Sequence, residues 1–379
     1  MEAHLWRLAE CGRKMRLDKA SRFEAVILFK PANIFYFTGS GRLISYVIVT
    51  KYAAAGVGVP LYAEARAKEG ASFDHIAAFG NEDEMFASIS HYFKFFKISS
   101  GAVGVEFDYL ARSRSDYLQL SGALPDAVEL KDCSAFISGL RTVKEDAEID
   151  LVRAAAKAAD AGMAAAVEAL EPGMTAGGLV TLAERAMKHA GAQKFWRTCV
   201  YLSSPLQLTS IAESLGPDEV LRVESGRLVQ IELNPAVDGY YASICRTVCA
   251  GEPSAQQMEL FHAHLQAQNE TISMVHEGVT VSDLENGFDK HLAAGGLAPI
   301  KFEPLVKGIG IEPAEQPFPK GHGFFYGGAF SGPLMKNSVL AVGGGAGASP
   351  AGICIRNTLV VGASGCEVLT QYQRPPDSS

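Results

Sequence analysis

Cysteine pairs, a basic excess and long apolar runs are all missing from this chain of 379 residues, and each absence excludes a class of protein. The seven cysteines (Cys11, Cys133, Cys199, Cys245, Cys249, Cys354, Cys366) form no C-x-x-C pair and are odd in number. That pattern fits scattered free thiols in a reducing compartment rather than a disulfide framework. Cys245 and Cys249, if they share a strand, stand about 13 Å apart at roughly 3.3 Å per residue, beyond disulfide reach. Lys and Arg number 34 against 42 Asp and Glu, a formal net charge of -8, so no basic stripe is available to neutralise phosphates. Nucleic acid and anionic membranes are therefore not expected partners. No apolar run approaches the roughly 18–20 residues of a membrane span. The opening MEAHLWRLAECGRK mixes charge into its first turns, without the apolar core of a signal peptide. A cytoplasmic location is expected.

What is present is a globular composition, 48% hydrophobic and 20% charged, on a chain too long for one ordinary core. Residues 1–138 alternate helical and strand patterns: a helix near residues 3–16, strands Ala25–Phe29, Tyr46–Thr50 and Ala102–Glu106, and a helix over Glu82–Phe96. They predict a small α/β domain with helices on a sheet. A charged passage, LRTVKEDAE, leads into a second domain, placed at residues 139–373, with a disordered tail at 374–379. Two long helical patterns there, Glu148–Leu170 and Ser254–His276, end in stop signals. Each is followed by glycine, an apolar residue, threonine and then a leucine four positions on: Gly173-Met174-Thr175…Leu179 and Gly278-Val279-Thr280…Leu284. The recurrence about 105 residues apart points to an internal duplication. Strand patterns at Phe195–Leu202, Leu228–Leu233, Tyr240–Val248, Val339–Gly343, Ile353–Val361 and Glu367–Thr370 make this domain α+β, a curved and mostly antiparallel sheet covered on one side by helices.

In this order the pieces resemble the creatinase/aminopeptidase P/prolidase family, whose fold is called the pita bread. Asn33-Ile34-Phe35-Tyr36-Phe37-Thr38-Gly39 is similar to its N-I-x-Y-x-T-G segment and Val103-Gly104-Val105-Glu106 to its G-x-E strand. Leu140-Arg141-x-x-Lys144-x-x-x-Glu148-Ile149 resembles its inter-domain signature, Glu171-Pro172-Gly173-Met174-Thr175 its P-G-x-T turn, and Gly239-Tyr240 with Arg246-Thr247 its G-Y-x-x-D-x-x-R-T hairpin. The resemblance implies a pita-bread second domain with a pseudo-two-fold repeat, a homodimer, and in active peptidases two divalent ions held by two Asp, one His and two Glu. Carried over position by position, those ligands fall on Glu232, Ser243, Lys307, Gly343 and Arg356. Only Glu232 still offers a carboxylate.

Formal charge decides the expectation about metal. Glu232 (-1), Lys307 (+1) and Arg356 (+1) sum to +1, and each added like charge at 4–6 Å costs about 3–4 kcal/mol at an effective dielectric near 20. No metal and no other cofactor is expected; the two cations take the electrostatic place of the ions, with Glu232 as their counter-charge. The resemblance also includes a metal-independent branch, creatinase, with a histidine base in a segment matching about Ser210–Gly216. No histidine lies between His189 and His262, so that base is missing too.

Several polar residues remain as candidates for proton handling: Glu232, Lys307, Glu315 and His322, the last in a G-H-G imitation outside the register of the family's histidine. Lys307 has two readings, a structural partner of Glu232 or an amine of lowered pKa that acts as base or imine former. Asp238 and Arg246, flanking the hairpin, read as a structural salt bridge. Gly343-Gly344-Gly345-Ala346-Gly347 lacks the Lys-Ser/Thr and helix of a phosphate loop. The expected function is a family homologue without the two-metal centre that binds a small carboxylate-bearing or amino-acid-like molecule through Glu232, Ser243, Lys307 and Arg356, with metal-independent hydrolase-type chemistry left open. Its rivals are a non-catalytic scaffold protein and an active Xaa-Pro metallopeptidase with other ligands.

Overall fold

A computed structural model describes residues 2–17, 22–40, 43–70, 73, 75–110, 114–202, 222–300, 304–317, 332–348 and 351–372. The expected tail lies outside these residues. Two compact units meet in sequence at Leu140 and Arg141. Among the described residues no helix is long and apolar enough to cross a membrane.

The first unit runs α1 (Glu2–Leu17), β1 (Phe23–Leu28), α2 (Pro31–Thr38), β2 (Tyr46–Thr50), β3 (Ala55–Pro60), α3 (Glu64–Gly70), β4 (Ile76–Phe79), α4 (Glu82–Phe95), β5 (Ser100–Val105), α5 (Phe107–Leu110), α6 (Arg114–Ala123), β6 (Ala127–Asp132) and α7 (Ser134–Thr142). Its six strands order as β4-β3-β2-β1-β5-β6, an α/β sheet as expected. The aromatic, β-branched NIFYFTG stretch nevertheless folds as α2. Pro31 presets the first helical φ, and the carboxylate of Glu106 receives the N–H groups of Phe29 (2.7 Å) and Lys30 (2.9 Å) and the amide of Asn33. The two N-terminal motifs are thus halves of one contact. Glu106 is buried at 1% exposure, so Glu106→Ala strands two backbone donors. The expected loss is about 3 kcal/mol in urea unfolding; a loss below about 0.5 kcal/mol would contradict this role.

The second unit contains the duplication. Its first half is α8 (Asp146–Glu168), α9 (Ala176–His189), β7 (Lys194–Leu202), β8 (Leu228–Val237), β9 (Tyr240–Tyr241) and β10 (Ile244–Cys249). Its second is α10 (Ala255–Ser273), α11 (Val281–Ala294), β11 (Ala298–Ile300), β12 (Val306–Gly308), β13 (Val339–Val342), β14 (Gly345–Ala348), β15 (Ala351–Cys354), β16 (Asn357–Val361) and β17 (Cys366–Val368). The Gly-x-Thr turns match in detail. Gly173 and Gly278 both have φ +94°, a left-handed value that glycine reaches without strain. Thr175 and Thr280 cap α9 and α11 by accepting from Gly178 and Asp283 N–H. Met174 and Val279 each accept a backbone bond, from Val223 and Leu334.

Each half lays its helices on one face of its strands. In the first, Ala159, Met163, Leu179, Ala183 and Met187 pack on Val200, Val229, Ile231, Leu233 and Ile244. In the second, Leu284, Phe288 and Leu292 pack on Val306, Leu340, Val342 and Leu359. Because strand side chains alternate, the intervening residues face away from the helices: Gln230, Glu232 and Asn234 on β8, and Lys307, Ala341 and Thr358 in one cross-strand row of β12, β13 and β16. The two halves are joined where Cys245 and Arg356 exchange backbone hydrogen bonds at 3.2 and 3.0 Å. That bridge divides Ile353–Val361, which the sequence suggests as one strand, into β15 and β16.

Candidate functional site

Of the expected site residues Glu232 and Arg356 meet directly, and Ser243 and Lys307 are buried. Glu232, between Cys199 of β7 and Cys245 of β10 in cross-strand register, points from the first half. Arg356 reaches it from the second, its Nη1 donating to Glu232 Oε1 at 2.9 Å, with both side chains almost fully buried. Lys307, 2% exposed, places its Nζ 5.4 Å from the ring centre of Trp196, and Arg197 lies 5.1 Å from the same ring. Trp196 is thereby flanked by two cations, a favourable use of its negative faces. Ser243 is fully buried, and its backbone N and O are both engaged by Thr358 Oγ1 at 2.8 Å.

Gly343 is the fifth position, and its backbone leaves no place for a side chain. It has φ +153°, and a Cβ there would stand 2.0 Å from Ile355 O and 2.5 Å from Arg356 Cα. The carbonyls beside it are held from behind by α10: His264 Nε2 bonds Gly344 O at 2.9 Å and Gln268 Nε2 donates to Val342 O at 3.0 Å. Burial lowers the His264 pKa to about 4, so the ring stays neutral and can donate to that carbonyl.

Glu315 does not join Glu232. It is enclosed by Arg141 and Lys144, the latter at 3.0 Å, and its Oε1 also accepts from Glu312 N–H at 2.9 Å. Burial alone would raise its pKa, but the two cations hold it down at about 2. The Arg and Lys of the inter-domain signature are thus a clasp on the Glu312–Glu315 turn, and its Glu148 closes the capping box of α8 while accepting from Tyr240 OH at 2.8 Å. A depressed carboxylate pKa contributes stability above the unfolded value near 4.5 and loses it as pH falls toward 2. The contribution is worth about 3 kcal/mol. Glu315→Gln is expected to be less stable at pH 7 and to show a shallower stability loss between pH 5 and 2, read from urea midpoints across that range. An unchanged slope would contradict the clasp.

His322 and the Ser210–Gly216 segment lie outside the described residues. Asp238 and Arg246 do not form the expected salt bridge. Arg246 is turned by strand alternation to the helix side, where it donates to the carbonyls of Tyr372, Cys245 and Arg356; Asp238 meets Gln193 instead. Cys245 and Cys249 are free, as expected, and burial pushes the Cys245 thiol well up, so it is no nucleophile. Two site residues escape the sequence reading. Asn234 follows Glu232 by two positions, which on a strand means the same face, and donates to its Oε1 at 3.3 Å. Trp196 carries no motif at all.

Residues 150–363 match the model of metallopeptidase family M24, and residues 7–143 that of the creatinase/prolidase N-terminal domain. The Xaa-Pro dipeptidase of Pyrococcus furiosus is 25% identical over 310 residues, spanning 80% of this chain and 84% of that protein. The creatinase of Bacillus sp. strain B-0618 is 28% identical over 194 residues, 49% of this chain and 45% of that one. Among solved structures, an Xaa-Pro dipeptidase from Bacillus anthracis superposes with a TM-score of 0.83 at 21% identity, covering 98% of this chain and 99% of that one. The last likeness establishes the pita-bread fold, and the two domain matches establish descent. With both domains present in the expected order, the chain belongs to the creatinase/prolidase group of metallopeptidase family M24.

Proposed function

We propose that this chain is a family member that has lost the two-metal centre and uses the remaining cavity lining to bind a small carboxylate-bearing molecule. The observation that carries this reading is the buried Arg356–Glu232 pair at 2.9 Å. The one remaining carboxylate is neutralised by a cation that cannot shed its proton. The rest of the donor set points the same way: Lys307 is a cation in place of a histidine, Ser243 offers a weak hydroxyl, and Gly343 has neither a side chain nor room for one. Among the described residues no group of three His, Cys, Asp or Glu is arranged to hold a metal ion. These residues do not fit a pair of dications.

Binding is favoured over metal-independent hydrolysis by the state of the carboxylates. Both carboxylates are held in ion pairs, Glu232 with Arg356 and Glu315 with Arg141 and Lys144. Lys307 is the residue proposed to meet the carboxylate, beside the Arg356–Glu232 pair. A homodimer, carried over from the resemblance, and a cytoplasmic location, expected from composition, complete the proposal. Protein purified without chelator is expected to carry less than about 0.1 equivalent of Mn, Co, Zn or Fe by mass spectrometry and to leave Xaa-Pro dipeptides intact when those metals are added. Near-stoichiometric metal would overturn the reading. Stabilisation by small carboxylates in a thermal-shift screen is expected to disappear in Lys307→Ala.

A further inference from the structure

Strand β7 carries one residue more than its partner requires. Phe195 stands opposite Pro235 and Thr198 opposite Leu233, so three steps along β7 match two along β8. Phe195 and Leu233 both pack with the helices, which fixes the face of the two flanking pairs. The surplus residue is a β-bulge, and it turns the two positions between those pairs, Trp196 and Arg197, to the inner face together, opposite Asn234. In a regular strand one of the two would point to the helices. The Asn234 amide secures the bulge, donating to Arg197 O at 3.2 Å and to Glu232 Oε1 at 3.3 Å.

What the bulge delivers is an aromatic ring. Trp196 is half-buried, and the centre of its ring lies 5.4 Å from Lys307 Nζ of β12, in the other repeat. A lysine ammonium ends a flexible four-carbon stem, and a ring contact limits where it can lie. An anion that reaches it meets a charge already in place, which lowers the ordering cost of binding.

We propose that Trp196 is a positioning residue: set on the inner face by the β7 bulge, it holds the Lys307 ammonium where a ligand carboxylate meets it. This deepens the binding reading of the preceding section and rests on it.

The probe is propionate, with uncharged propionamide as its control, and binding is read by calorimetry on the full chain. Trp196→Leu is expected to bind propionate about fivefold more weakly than wild type, the size of effect that one buried cation–ring contact supplies. Trp196→Phe, which keeps a ring face, is expected to stay within about twofold of wild type. Fluorescence gives a second readout that packing alone would not move. The chain has two tryptophans, and Trp6 is exposed on α1 of the first unit. In Trp6→Phe, the emission of Trp196 is expected to change with propionate and not with propionamide, and to lose that response when Lys307→Ala is added. This arm decides even where Trp196→Leu does not fold. Propionate binding that is unchanged in Trp196→Leu, or bound propionate that leaves the emission unmoved, would overturn the role of Trp196 while leaving carboxylate binding intact. Equal losses in Trp196→Leu and Trp196→Phe would mean that side-chain packing carries the effect and would likewise overturn it. Failure of wild type to bind propionate would overturn the proposed function together with it.

Discussion

Arg356→Met is expected to lower the unfolding free energy by about 3–5 kcal/mol, the usual consequence of leaving a buried charge without its partner. Glu232 sits at 3% exposure between two strands and cannot turn to water when the guanidinium is removed. The pair itself need not be stabilising: desolvating two charges offsets most of their attraction. The double variant Glu232→Leu/Arg356→Met is therefore expected to recover most of the loss. Urea unfolding of the two singles and the double gives the coupling directly. A loss below about 1 kcal/mol for Arg356→Met would mean that solvent screens the pair, and the electrostatic account of the site would be wrong.

Gly343→Glu is expected to be worse, with a loss on the order of 4 kcal/mol or more, in the range where a backbone position is incompatible with any side chain. The glutamate would restore the residue type the resemblance implies, yet its Cβ would fall 2.0 Å from Ile355 O on a backbone at φ +153°. The strand cannot retreat freely, because Gln268 and His264 hold the carbonyls of Val342 and Gly344. Reverting the whole set, Ser243→Asp, Lys307→His, Gly343→Glu and Arg356→Glu together, is expected to give a chain that still takes up no stoichiometric metal. Two bound equivalents in that variant would show that only the side chains had changed and that the backbone still accepts the old ligand set.

The repeat was the most legible part of the fold. Its signal lies in local physics, a left-handed glycine and a capping threonine, and such residues keep their meaning wherever the chain carries them. The positions of Glu232, Lys307 and Arg356 came from the resemblance alone, and strand pairing then puts Glu232 and Lys307 on the faces turned away from the helices. Less could be read where tertiary contacts decide. NIFYFTG has no helical pattern, and α2 forms around the Glu106 carboxylate from 73 residues further along the chain. The partners of Arg246 were not legible because they are carbonyls of Arg356 and Tyr372, 110 and 126 residues further along the chain. His264 and Gln268 sit four apart on the buried face of α10, and their function depends on carbonyls of a strand more than 70 residues distant. Their only trace in the sequence is polarity at positions where the helix should be apolar.

Duplication gives the molecule two walls of common origin, and the changes have not been shared evenly between them. The acid, the amide and the hydroxyl belong to the earlier copy; the ammonium, the guanidinium and the closed glycine belong to the later one. The inner surface has thereby acquired a polarity, with its acid in one repeat and its buried guanidinium and ammonium in the other.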